Sequence, residues 1–113
     1  MNEDKINLKF GVGKVLIGVL SNSLLFEISK NSLDVGSRML LDSEIIEKYT
    51  LPFYSLSEVD MLQSMISDVY NGVEVVRYKN FIFDFTNYNL ESVNIFYEQL
   101  THVKESLMHL IAV

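Results

Sequence analysis

A chain of 113 residues with no Cys and a net charge of −6 excludes disulfides, thiolate metal sites and cysteine nucleophiles. Hydrophobic residues make up 49% and charged residues 21%, the balance of a folded globule and not of a disordered segment, and the length suits one α+β domain over 1–113. The acidic sign repels phosphate backbones, so direct nucleic-acid binding is disfavoured and a basic partner is favoured.

The first residues, Met1-Asn2-Glu3-Asp4-Lys5, lack the basic stretch and apolar core of a secretory signal. No apolar run approaches the about 20 residues of a membrane helix. A cytoplasmic protein with no membrane contact is expected. Ile6, Leu8 and Phe10 alternate with polar neighbours, the period of a half-buried strand. Gly11-Val12-Gly13 predicts a turn. A phosphate loop would need G-x-x-x-x-G-K-S/T leading into a helix, whereas Gly11-Val12-Gly13-Lys14 leads into a second strand, Lys14 to Leu20. Ser21-Asn22-Ser23 is turn chemistry, and Leu24 to Ser29 is a third strand. Connections this short favour antiparallel neighbours, because a parallel crossover needs about a dozen residues. The first three strands are therefore expected to form a meander.

Lys30 to Gly36 reads as a loop, and Met39 to Leu41 as an extension of the sheet. Asp42 or Ser43 followed by Glu44-Ile45-Ile46-Glu47-Lys48-Tyr49 predicts a short capped helix, ended by Thr50-Leu51-Pro52 because the residue before Pro avoids helical geometry. Ser55-Leu56-Ser57-Glu58 matches the capping box, with Ser57 and Asp60 as an alternative cap. The helix behind it places Val59, Leu62, Ile66 and Val69 on one face, with Met61 and Met65 widening the stripe as core filling. It stops near Asn71-Gly72. Val73 to Tyr78 and Phe81 to Thr86 predict a hairpin across Lys79-Asn80, with Phe81, Phe83 and Phe85 on one face. Asn87 or Asn89 caps a terminal helix whose Val93, Phe96, Leu100, Val103, Leu107 and Leu110 form a single buried face. The order β-β-β-(β)-α-α-β-β-α defines an α+β fold: a twisted antiparallel sheet, made of the N-terminal three-stranded meander and the later hairpin, with two or three helices packed on it.

The charge is concentrated. Residues 42–74 carry Asp42, Glu44, Glu47, Glu58, Asp60, Asp68 and Glu74 against Lys48 alone, while the flanking thirds are nearly balanced. Tyr49, Phe53 and Tyr54 interleave with these acids beside Pro52. Aromatic anchors ringed by charge are the composition of a binding surface; core packing of Phe53 and Tyr54 is the competing reading. The candidate contact set is Asp42, Glu44, Glu47, Tyr49, Tyr54, Glu58, Asp60, Asp68 and Glu74. The second choice is Glu91, Glu98 and Glu105, which repeat every seven residues and so stack along one stripe of the terminal helix. His102 and His109 lie about 10 Å apart on that helix at 1.5 Å rise per residue, too far to share one metal ion. Glu98 precedes His102 and Glu105 precedes His109 by one turn. No serine elbow, thiol or metal-ligand spacing stands out, so neither catalysis nor a metal or cofactor is expected.

In size, acidity, absence of Cys, aromatic-rich sheet and lack of a catalytic signature, the chain resembles the immunity proteins of bacterial contact-dependent growth inhibition systems. The resemblance implies a cytoplasmic antitoxin that binds a basic toxin domain, a nuclease and in particular a ribonuclease, and covers its active site with an acidic surface. A monomer or weak dimer is expected. Two alternatives differ in class: a type III secretion chaperone, which would be a stable dimer and usually opens with a helix where this chain opens with strands, and a small carboxylate-based enzyme using His102 or His109.

Overall fold

All seven Phe side chains are buried, and their positions explain how the elements assemble. The computed structural model describes residues 5–10, 15–29, 45–86 and 90–112. The strands are β1 (Ile6–Lys9), β2 (Val15–Leu20), β3 (Ser23–Ser29), β4 (Ile45–Pro52), β5 (Val75–Tyr78) and β6 (Phe81–Asp84); the helices are α1 (Leu56–Ser67) and α2 (Leu90–Ala112), and a 3-10 turn over Asp68–Asn71 follows α1. The fold is α+β. The expected Gly11-Val12-Gly13 turn, the Lys30 to Gly36 loop, the Met39 to Leu41 extension and the Asp42, Ser43, Asn87 and Asn89 caps lie outside the described residues.

The strands form two three-stranded sheets, ordered β2-β3-β4 and β1-β6-β5. A meander and a later hairpin are both present, but the meander is β2-β3-β4. The first strand leaves it and pairs parallel to β6, Leu8 opposite Phe83. The short link after Phe10 therefore joins two sheets and not two neighbouring strands. What draws β1 away is apolar burial: Leu8 and Phe10 are almost wholly buried, and Phe10 stacks on Phe85 at 4.8 Å and 7°. A second correction concerns Glu44 to Tyr49. Residues 45–52 are strand, with Phe26 opposite Tyr49 and Leu24 opposite Leu51. Ile45, Ile46, Tyr49 and Thr50 are β-branched or aromatic residues suited to a pleated surface, and pairing with β3 overrides the local helix signal.

Phe26 on β3 is the hub. Its ring lies 5.7 Å from Phe81, 5.5 Å from Phe83 and 5.6 Å from Phe96, so it joins both sheets to α2. Phe96 meets Phe83 edge-on at 4.9 Å, the arrangement the ring quadrupoles favour. One core cluster thus contains residues of both sheets and both helices.

The helices follow the sequence closely. Ser55 caps α1, its Oγ accepting from the Glu58 amide at 3.3 Å. Glu58 reaches back one residue further than the simple box, accepting from the Tyr54 amide at 2.7 Å. The alternative Ser57 cap is not used, since Ser57 already lies within the helix. Val59, Leu62, Ile66 and Val69 are buried, and Gly72 ends the segment in the left-handed region, φ 107°, where glycine has no steric penalty. Met65 packs on the core, but Met61 is 57% exposed and does not fill it: the stripe is narrower than expected, and Met61 lies outside it. On α2, Val93, Phe96, Leu100, Val103 and Leu107 are buried as the spacing requires.

Candidate functional site

α1 and α2 lie side by side and antiparallel. Asp60 meets Lys104 at 2.5 Å. Gln63 donates through Nε2 to Thr101 Oγ1 at 2.8 Å and to the Tyr97 carbonyl at 3.3 Å. The Tyr70 hydroxyl, just beyond α1, donates to Asn94 Oδ1. Rising numbers on α1 thus face falling numbers on α2. The end of α1, with Asp68 and Glu74 beyond it, lies at the same end of the pair as Leu90 and Glu91.

This pairing sorts the charges of α2. At 100° per residue, the buried stripe through Val93, Phe96, Leu100 and Val103 leaves Glu91, Glu98 and Glu105 on the outward side, and all three are exposed. They span about 21 Å along the axis. Lys104 is the one Lys or Arg in α2, and it turns toward α1 to hold Asp60. The outward ridge therefore carries carboxylates with no ammonium or guanidinium among them. His102 lies within it: Nε2 is 3.8 Å from Glu98 and Nδ1 is 3.4 Å from Glu105. His109, Glu105, Ser106 and Ser21 line a shallow, open pocket of about 360 Å³. Among the described residues, no group of three His, Cys, Asp or Glu side chains converges as a metal site would require.

The acids of the middle third fall into different situations. Asp42 and Glu44 lie outside the described residues. Glu47 and Tyr49 share one face of β4, and the Tyr49 hydroxyl donates to Glu47; that bond, with some burial and the adjacent negative charge, raises the Tyr49 phenol above its ordinary value. Glu58 is committed to the structure. It accepts from the Tyr54 amide and from Lys79 at 3.3 Å. These contacts, the Tyr54 amide first, hold its carboxyl below the usual glutamate range. Asp60 is neutralised by Lys104. Asp68 and Glu74 are exposed and have no ion pair among the described residues; their backbone carbonyls accept from Val73 at 3.2 Å and Phe85 at 2.7 Å. The two aromatics separate: Phe53 is in the core, while Tyr54 is 74% exposed, with Lys79 Nζ 5.8 Å from its ring centre.

The structure thus leaves Asp68 and Glu74 exposed beyond the end of α1, where Tyr70 bonds Asn94 on α2, and ties Glu58 and Asp60 to Lys79 and Lys104. Sequence reasoning missed the Asp60–Lys104 pair and the buried Gln63. A signal was present for the first: Lys104 immediately follows Val103 at the edge of the apolar stripe, where a long cation reaches a neighbouring helix. None of the family models, curated proteins or solved structures compared with this chain matches it. No helix among the described residues is long and apolar enough to cross a membrane.

Proposed function

We propose that this chain is an immunity protein that binds and neutralises a cognate toxin domain, a basic ribonuclease, in the cytoplasm. The observation that carries this reading is the outward face of α2. Among the described residues, Glu91, Glu98 and Glu105 stand exposed along it with no Lys or Arg partner, and Asp68 and Glu74 add exposed carboxylates beyond the end of α1. A nuclease must hold a phosphate backbone, so its active cleft is basic. A rigid row of carboxylates on a helix is a charge mimic of that backbone. It speeds encounter and fixes orientation, while the final affinity depends on the neighbouring contacts. Exposed Tyr70 and Val73, beyond the end of α1, and Leu90, at the start of α2, supply apolar contact area.

The test is co-purification with the product of the gene immediately upstream, followed by an RNA-cleavage assay. The expected result is a tight complex that weakens with salt and loses cleavage activity. No complex at low salt overturns the proposal.

A further inference from the structure

The sheet β2-β3-β4 has a second face. The core side of its strands holds Val15, Ile17 and Val19 beside Leu24, Phe26 and Ile28. The opposite side sets Leu16 beside Glu27 and Lys48, Gly18 beside Leu25 and Thr50, and Leu20 beside Ser23 and Pro52. Among the described residues, Leu16, Leu20 and Leu25 belong neither to the core nor to the hydrophobics packed against it; Leu16 and Leu25 are half-buried within the sheet surface. Leu20 is 63% exposed, and a Cβ built on Gly18 would meet nothing within 4 Å. A strand with one wet face normally alternates apolar and polar residues. In β2 both faces are apolar, the pattern of a strand covered on both sides.

We propose that this face associates with the same face of a second copy of the chain, sheet on sheet about a two-fold axis. Charge selects that occupant. Two chains of net charge −6 repel over most of their surfaces. The charges set out by the registers on this face are Glu27 and Lys48, 3.8 Å apart, so it is locally neutral. A two-fold contact is self-complementary: leucines meet leucines, and each copy's Glu27 can meet the other's Lys48. A partner of a single sign would gain at one of these residues and lose at the other. Three strands of six to eight residues at spacings of about 4.8 Å cover a few hundred Å². A standard interface takes roughly 800 Å² per partner, so the dimer is weak and concentration-dependent. α2 lies against the other face of these strands, so association leaves its acidic ridge open.

Sedimentation equilibrium of the full chain over about a hundredfold concentration range tests this. The mass is expected to rise from one chain toward two. Leu25→Lys should weaken association at least about tenfold, with circular dichroism confirming the fold; if Leu25→Lys unfolds, the more exposed Leu20→Lys gives the same reading. Glu27→Lys and Lys48→Glu should each weaken it about fivefold. An equimolar mixture of those two should recover it, because opposite charges then face each other. A single-chain mass at every concentration, leucine variants that associate as the wild type does, or a mixture no stronger than its components each overturns the proposal.

Discussion

Lys104 on α2 holds Asp60 on α1 at 2.5 Å, and that one pair sets an acid and a base of the surface against each other. The pair is half-exposed, so its contribution to stability is small, about 0.2–1 kcal/mol. Its larger effect is on the surface field. Lys104→Met leaves Asp60 uncompensated beside the α2 ridge. The variant is expected to lose under about 1 kcal/mol of stability and to associate with a basic partner about twice as fast at low salt. Stopped-flow association rates at two ionic strengths check this, and the difference should vanish at high salt.

Gln63 is the buried polar residue between the helices, and its amide joins α1 to Thr101 and Tyr97 on α2. Gln63→Ala removes two hydrogen bonds and leaves a small void. The expected cost is about 1–3 kcal/mol in urea unfolding. The double variant with Thr101→Val should cost less than the sum of the singles, because the two residues share a bond.

Glu58 gives the chain an acid-sensitive element. Its carboxyl titrates below the ordinary glutamate range, chiefly because the Tyr54 amide donates to it and then because Lys79 pairs with it. A depressed folded-state value means a contribution present above the unfolded value, about 4.3, and lost as the pH falls through the lower folded value. Glu58→Gln should therefore flatten the loss of stability below about pH 4.3 and leave its slope near neutrality unchanged. Thermal melts across that window measure it. Asp84, held down by the Thr86 hydroxyl and amide, has the same sign, so some acid sensitivity remains.

Ser21 and Lys79 each open a two-residue hairpin turn in the left-handed region, φ 57° and 54°. A side chain there is strained where glycine is not. Ser21→Gly is expected to stabilise by up to about 1 kcal/mol, the strain relieved exceeding the chain entropy that glycine adds. Lys79→Gly relieves the same strain but loses the bond to Glu58 and the contacts over Tyr54 and Tyr78. It should therefore show no gain. Paired denaturation curves separate the two cases.

The parts that could be read from the sequence are those governed by local rules. Ser55 and Glu58 announce the start of α1, Gly72 the end of the 3-10 turn that follows it, and the 3-4 spacing of α2 its buried face. The alternation at Phe81, Phe83 and Phe85 gives the hairpin and its core side. The remainder depends on partners distant along the chain. Nothing in Ile6-x-Leu8-x-Phe10 says that the strand runs parallel to Phe81–Asp84 and not antiparallel to its neighbour. The acids around Ile45-Ile46 imitate a helix start, and only pairing with β3 makes that segment a strand. The candidate surface follows the same division. The seven-residue repeat of Glu91, Glu98 and Glu105 set their common side in advance, whereas the engagement of Glu58 by Lys79 and of Asp60 by Lys104 needed the tertiary fold.

The most direct measurement of the central claim is the affinity for the proposed partner, the product of the gene immediately upstream, as a function of salt, for the wild type, for Glu91→Lys/Glu98→Lys/Glu105→Lys and for an off-ridge control, Asp84→Asn. If the α2 ridge makes the contact, the triple variant loses at least about a hundredfold in affinity at low salt and its salt dependence flattens, while the control stays within about threefold. A triple variant that binds as tightly as the wild type, with the same salt slope, contradicts the account.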